Sequence, residues 1–292
     1  MHVIEREGRP PAVVCIHGYC QSAAYWEPTL ERLAQLGARG IAVDLPGFAY
    51  SANSPGPYTM EGLADALALF LDGRKLAPVV LVGGSMGGVI AQHFALRHPG
   101  HVLRLLLVAT GAYTADSDGA LAKADALAAA AWGEDAVTPI INGFFWRSPP
   151  GLDLARLRQI AAMATQAAAI EAARSNAKSR TLERLSEIRA PTLIIQGRHD
   201  RVRTSEHGAE MRDRIPGARL EVLEGSGHTP HLEEPEAFHR IALPFLSPAN
   251  SARFCSGRPS GAAQPLRLPS VHKHFHRLQT EKEVAKSRGQ LS

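Results

Sequence analysis

A strand is predicted over 219–223, and short apolar, β-branched runs recur along the chain at 12–16, 40–43, 79–82, 102–108 and 192–196. Each is bounded by Gly, Pro or polar residues and carries no 3.6-residue period, the pattern of a strand buried on both faces. Helical spacing fills the gaps. Residues 25–36 place Trp26, Leu30, Leu33 and Leu36 near one face, and Thr59 is positioned to cap a helix over 60–71. Further helices are predicted over 89–96, 205–214 and 234–245. Strands alternating with helices predict an α/β fold with a parallel sheet and helices on both of its faces.

The alternation stops between residues 112 and 187, which are alanine-rich and without a convincing strand. Leu121, Ala124, Leu127, Ala128 and Ala131 fall near one face of a predicted helix, and Leu154, Leu157, Ile160, Ala161 and Ala164 near one face of a second. Between them lies Ile140-Ile141-Asn142-Gly143-Phe144-Phe145-Trp146, whose aromatics line a pocket or form the insertion's own core. A helical insertion after a strand of an open sheet sits above the strand ends, where ligands bind. The expected organisation is a core over 1–111 and 188–247, a helical cap over 112–187 and a separate tail over 248–292.

Composition sharpens this picture. Of 292 residues 45% are apolar, ordinary for a globule with a sizeable core. Three cysteines (Cys15, Cys20, Cys255) are too few for a disulfide framework. No membrane-length apolar stretch and no signal-type N-terminus is found, so a cytoplasmic setting is expected. The net charge of +4 is unevenly placed: residues 248–292 hold eight Lys/Arg and two acidic residues, while the rest is slightly acidic. The basic balance therefore belongs to the tail and gives no reason to expect nucleic-acid binding. The tail is expected to be disordered. Its alternating His272, His274 and His276 lack an acidic or Cys partner, so a metal role is not favoured.

The candidate chemistry begins at the run Val79-Val80-Leu81-Val82 and its turn, Gly83-Gly84-Ser85-Met86-Gly87-Gly88. Gly83, Ser85 and Gly87 fit Gly-x-Ser-x-Gly between a strand and a helix. Such a sharp turn lifts the serine hydroxyl clear of the sheet, and small residues on either side avoid a clash. A phosphate loop fits poorly, because no Lys-Ser or Lys-Thr follows the glycines. A serine hydroxyl needs a base, and the base an orienting acid. His228, after the last strand in Gly225-Ser226-Gly227-His228, is the predicted base, and Asp200, one strand earlier, the predicted acid. His231 is assigned to packing, and Asp116 and Asp118 are the fallback acids. His17-Gly18 ends the strand over 12–16, so the amides of Tyr19 and Met86 are the predicted oxyanion donors. Asp44, before Leu45-Pro46-Gly47, is read as tying down its own turn.

These motifs resemble the α/β-hydrolase superfamily, with the cap of its esterase, enol-lactonase and carbon–carbon bond hydrolase branches. The matching residues are His17-Gly18-Tyr19, Asp44-Leu45-Pro46-Gly47, Gly83-Gly84-Ser85-Met86-Gly87-Gly88, Gly197-Arg198-His199-Asp200 and Gly225-Ser226-Gly227-His228. The resemblance implies a mostly parallel, roughly eight-stranded sheet. His17 comes so early that the usual N-terminal strands are expected to be short or missing. The expected activity needs neither metal nor cofactor: hydrolysis of a small or medium carboxylic ester or lactone through an acyl-enzyme on Ser85. One alternative is carbon–carbon cleavage of a vinylogous diketone, for which Asn142 or Arg147 would hold a carboxylate. Another is a ligand receptor that retains the triad. An aspartate nucleophile, as in dehalogenases and epoxide hydrolases, is not expected with serine at position 85.

Overall fold

The computed structural model describes residues 1–149 and 151–247. The expectations for the tail, including His272, His274 and His276, lie outside the described residues. Seven strands form one sheet: β1 (Val3–Arg6), β2 (Arg9–Ile16), β3 (Ala38–Val43), β4 (Val79–Gly84), β5 (Val102–Val108), β6 (Thr192–Gly197) and β7 (Arg219–Leu223). Their order is β1-β3-β2-β4-β5-β6-β7. All neighbours are parallel except β1, which runs antiparallel along β3 from Val3 opposite Val43 to Arg6 opposite Gly40. The N-terminal edge is thus short but present. Its four residues are all half-buried, too few to show an alternating pattern.

The internal strands read as near-continuous apolar runs because helices cover both faces, whereas the edge strand β7 alternates Arg219 and Glu221 with Leu220 and Val222. Val14, Ile16, Leu81, Leu105, Leu107 and Ile194 pack on one side against α2 (Met60–Gly73), α3 (Met86–Arg97) and Met211 of α8 (Ser205–Arg214). Val13, Cys15, Val80, Val82, Leu106 and Ile195 pack on the other against α1 (Glu27–Gln35) and α10 (Pro235–Leu246). β2 begins at Arg9, earlier than the apolar run, and carries Pro10 and Pro11 through a register shift between Arg9 and Val13. A proline can sit there because the regular ladder is interrupted. The helix predicted over 234–245 is α10, and a short helix, α9 (Pro230–Glu233), precedes it, the two separated at Glu234. Pro235 disfavours the helical conformation for the residue before it, and Glu234 has φ −129° and ψ 59°.

The described residues of the insertion after β5 hold four α-helices where the sequence pattern showed two, α4 (Ser117–Ala129), α5 (Glu134–Asn142), α6 (Leu154–Ala162) and α7 (Gln166–Lys178), followed by a 3-10 turn at Leu182–Glu187. Asp116, Asp153 and Thr165 cap α4, α6 and α7 by accepting from backbone amides of the first turn. α5 is hidden in the sequence because Pro139 interrupts its pattern. Of the face expected on α4 only Ala124 is buried, since alanines scattered round a helix carry little periodic signal. On α6 the expected face is correct at Leu157, Ile160 and Ala161, with Ala164 buried just beyond it. Among the described residues no helix is long and apolar enough to cross a membrane.

Candidate active site

Strand order reverses between β2 and β4, where Ile16 lies opposite Gly83. Chains leaving neighbouring strands in opposite directions open a crevice at their carboxyl ends. Ser85 sits there, at φ 52° and ψ −118°, between β4 and α3. A side chain other than hydrogen in this region costs about 1–3 kcal/mol and persists only under strong local restraint. The restraint is visible. Ser85 N–H donates to Val108 O at 2.9 Å, and Ser85 O accepts from Thr110 Oγ1 at 2.7 Å and Gly88 N at 2.9 Å. The flanking glycines are required by close approach: a Cβ on Gly83 would lie 2.3 Å from Gly87 O, and one on Gly87 2.5 Å from Ile16 O and His17 O.

The loop after β2 closes over the same spot, where a Cβ on Gly18 would come 3.1 Å from Ser85 Cβ. His17 fixes this loop. Leu45 N–H donates to His17 Nε2 at 3.1 Å, so the buried ring carries its proton on Nδ1, which donates to Gly18 O at 2.7 Å. Burial holds its pKa below the ordinary histidine value, which keeps the ring neutral. Gln21 adds two bonds, N–H to Gly18 O at 3.2 Å and Oε1 from Gly18 N at 2.8 Å. With the Gly18 carbonyl held, the Tyr19 N–H of the same planar peptide points the opposite way. Met86, first residue of α3, has an amide with no partner inside its helix.

His228 and Asp200 are 4% exposed. The Ser85 hydroxyl lies 2.8 Å from His228 Nε2, and His228 Nδ1 donates to Asp200 Oδ2 at 2.7 Å. Asp200 Oδ1 accepts from the amides of Val202 and Arg203 at 2.8 and 2.9 Å, so the carboxylate cannot rotate away from the ring. Arg203, 5% exposed, anchors the same loop through Tyr113 O and Thr114 Oγ1. Burial lowers its pKa, with the Asp200 charge opposing.

The insertion reaches this group directly. His228 N–H donates to Phe144 O at 3.1 Å, and the two rings lie 5.4 Å apart. Trp146 stacks on His199 at 4.2 Å, with the Arg201 guanidinium 5.3 Å from the Trp146 ring. Glu233 joins the two segments: Oε2 accepts from Trp146 N at 2.7 Å and Arg147 N at 3.2 Å, and Oε1 from Thr229 N and Oγ1 at 3.0 Å. A cavity of about 350 Å³ is lined here by Asn142, Phe144, Phe145, Trp146, His199 and His228. Phe144 also belongs to the insertion's apolar cluster, so it fills both roles left open for the aromatics. A larger cavity of about 700 Å³, between Thr59 and Lys178, includes none of Ser85, Asp200 and His228.

Other sequence candidates sit elsewhere. Asp116 caps α4, and the Nδ1 it would have to reach is bonded to Asp200. Asp44 ties down chain remote from its own turn: Oδ1 accepts from Ala23 N and Oδ2 from His2 Nδ1, both at 2.7 Å, while His17 holds the turn. His231 is buried and stacks on Trp26 at 4.2 Å. Asn142 and Arg147 are both exposed, and of the two only Asn142 lines the smaller cavity. Among the described residues no group of three or more His, Cys, Asp or Glu is gathered as a metal site. The positioning roles of His17, Arg203 and Glu233 are not visible in the sequence, because their bonds are largely to backbone and leave no residue pattern.

The sequence profile of the alpha/beta hydrolase fold matches residues 11–235. A pimeloyl-[acyl-carrier protein] methyl ester esterase of Neisseria meningitidis is 32% identical over 262 residues, 83% of this chain and 80% of that protein. A 2-hydroxy-6-oxo-2,4-heptadienoate hydrolase of Pseudomonas putida is 31% identical over 252 residues, 80% of this chain and 88% of the relative. Among solved structures, an esterase from Exiguobacterium antarcticum superposes with a TM-score of 0.77 at 26% identity, covering 84% of this chain and 94% of that one. By class, then, the protein is a hydrolase. The fold and the matched span make the assignment narrower, and the chain belongs to the α/β hydrolase fold family.

Proposed function

We propose that the protein hydrolyses a small or medium carboxylic ester or lactone, with Ser85 as nucleophile, His228 as base and Asp200 as its orienting acid. The observation that carries this reading is the unbroken relay from Ser85 Oγ to His228 Nε2 at 2.8 Å and from His228 Nδ1 to Asp200 Oδ2 at 2.7 Å. Ser85 Oγ attacks the carbonyl carbon as its proton passes to Nε2, and the carboxylate steadies the imidazolium. The amides of Tyr19 and Met86 receive the oxyanion. Collapse breaks the carbon–oxygen bond to the leaving alcohol, which takes the proton from Nε2. Water, deprotonated by the same nitrogen, then releases the acid and restores Ser85. Residues 112–187 act as a cap over this site, with 1–111 and 188–247 as the core. Phe144 and Trp146 support that division through their contacts with the His228 segment.

The test is hydrolysis of p-nitrophenyl acetate, butyrate and octanoate. Ser85→Ala and His228→Ala are expected to lower kcat by roughly 10⁴ or more, and Asp200→Asn by a similar order, with several turnovers per wild-type molecule. Activity that survives Ser85→Ala overturns the assignment. A retained triad in a ligand receptor would give one turnover at most. The relative named as a 2-hydroxy-6-oxo-2,4-heptadienoate hydrolase favours a second reading, carbon–carbon cleavage on the same triad. Loss of such a dienoate's absorbance, with no turnover of any ester, would select it.

A further inference from the structure

Residues 110–112 lead from β5 into the insertion, and their three carbonyls all accept bonds that the reaction above does not use. Thr110 O accepts from Gln196 Nε2 at 2.7 Å, Gly111 O from Gln92 Nε2 at 3.1 Å and Ala112 O from Thr181 N–H at 2.8 Å. Thr181 lies just beyond α7, so its bond to Ala112 ties the outgoing end of the insertion to the incoming one. The Thr181 hydroxyl, 3.3 Å from Ala112 O, donates at shorter range to Gln92 Oε1, 2.5 Å away. Gln92 therefore grips the incoming segment with its nitrogen and the outgoing one with its oxygen. An amide side chain carries the donor and the acceptor that this double grip needs.

The same side chain is tied to Ser85. Gln92 belongs to α3, whose N-cap is Ser85, about two turns earlier. Thr110, next to the Gly111 that Gln92 holds, donates from Oγ1 to Ser85 O at 2.7 Å. The turn at Ser85 and both ends of the insertion thus meet on one stretch of helix. Gln92 and Thr181 are buried, at 0% and 1% exposure, so water does not replace a partner lost here. Each group left unpaired in such a place costs about 1–3 kcal/mol. Two other bonds from the insertion to the core are wetter: Tyr58 N–H to Glu171 is exposed, and Met60 N–H to Ser175 is half-buried.

We propose that Gln92 is a positioning residue that latches both ends of the insertion to the helix beginning at Ser85. The seating of the insertion and the geometry of the Ser85 turn are then set together, by one side chain. The latch rests on the ester-hydrolase reading for its effect on rate, but not for its effect on the insertion.

The insertion is therefore measured first, without substrate. In Gln92→Leu, which keeps the volume and removes both bonds, amide hydrogen exchange across α4 to α7 should speed up roughly tenfold while β4 and β6 change little. No acceleration in the insertion, or equal acceleration in the sheet, overturns the latch. Thr181→Val should give a smaller acceleration and Thr181→Ser almost none; equal behaviour of these two overturns the Thr181 bond and decides the matter if Gln92→Leu does not fold. The two substitutions act on one bond, so adding Thr181→Val to Gln92→Leu should change little, and full additivity counts against the proposal. With p-nitrophenyl butyrate, Thr181→Val should raise KM and nearly keep kcat. Gln92→Leu should also lower kcat by roughly tenfold, because it frees Gly111 beside the Thr110 that holds Ser85. A change confined to KM in Gln92→Leu overturns the link to Ser85. Absence of all ester turnover would defeat the hydrolase reading, and hydrogen exchange would still decide the latch.

Discussion

At the scale of single residues the site depends on atoms held where no side chain would choose to be. Ser85 keeps a left-handed φ because Gly83 and Gly87 let two pieces of backbone meet around it. Gly87→Ala should cost about 1–3 kcal/mol, since its methyl would press on the carbonyls of Ile16 and His17 at the end of an internal strand, which cannot move aside. A melting temperature equal to wild type would show that the turn has slack. His17 acts differently, through the Gly18–Tyr19 peptide. His17→Ala should lower kcat for p-nitrophenyl butyrate by roughly ten- to a hundredfold while KM stays within about twofold, because the variant would misdirect the Tyr19 amide, the proposed oxyanion donor, and leave ground-state binding intact. A rise in KM alone would refute that role. The Gly-x-Ser-x-Gly turn was legible in the sequence because its glycines answer a local steric need. His17 was legible only as part of a motif, since its partners, Leu45 N and Gly18 O, are backbone atoms that any residue supplies.

At the scale of elements the internal strands were readable because burial on both faces leaves near-continuous apolar runs. The insertion was less so. Its helices pack through alanines and carry a proline inside α5, which blurs the 3.6-residue period. The joint between insertion and sheet escaped the sequence altogether, as it is built from Glu233 and main-chain amides. Glu233→Ala should free residues 146–147 from the His228 loop and raise KM severalfold. Glu233→Gln, which keeps one accepting oxygen, should fall between it and wild type. Limited proteolysis between residues 143 and 152 should accelerate in the same order. Unchanged KM and unchanged cleavage in Glu233→Ala would mean that the joint is held elsewhere.

At the scale of the whole molecule, pH acts through histidines the reaction does not use. His231 is buried against Trp26 and Phe238 with neither ring nitrogen bonded among the described residues, and burial and the nearby His239 and His228 push its pKa down to about 3. His239 is lowered to about 4 by burial and the Arg32 charge, with Glu236 opposing. Both are more easily protonated unfolded than folded. Their contribution is therefore complete above the ordinary histidine pKa near 6.5 and is lost as pH falls towards 4 and then 3, at up to about 1.4 kcal/mol per pH unit for each. Thermal unfolding from pH 7 to pH 4 should show this decline, and His231→Phe should flatten it. An identical slope in that variant would exclude His231 as a source.

The bond from His228 N–H to Phe144 O has a consequence for how such proteins diversify. The main chain that presents His228, the proposed base, is hung partly from a segment that lines the adjacent cavity. An exchange of residues 112–187 with those of a relative would therefore transplant part of the support of the base along with the pocket. The two stretches, 144–147 and 228–233, must change in step. A chimera carrying both should keep its rate on small esters, and one carrying the insertion alone should lose it while still folding. On the proposed reading, these two loops are expected to change as a matched pair rather than one at a time.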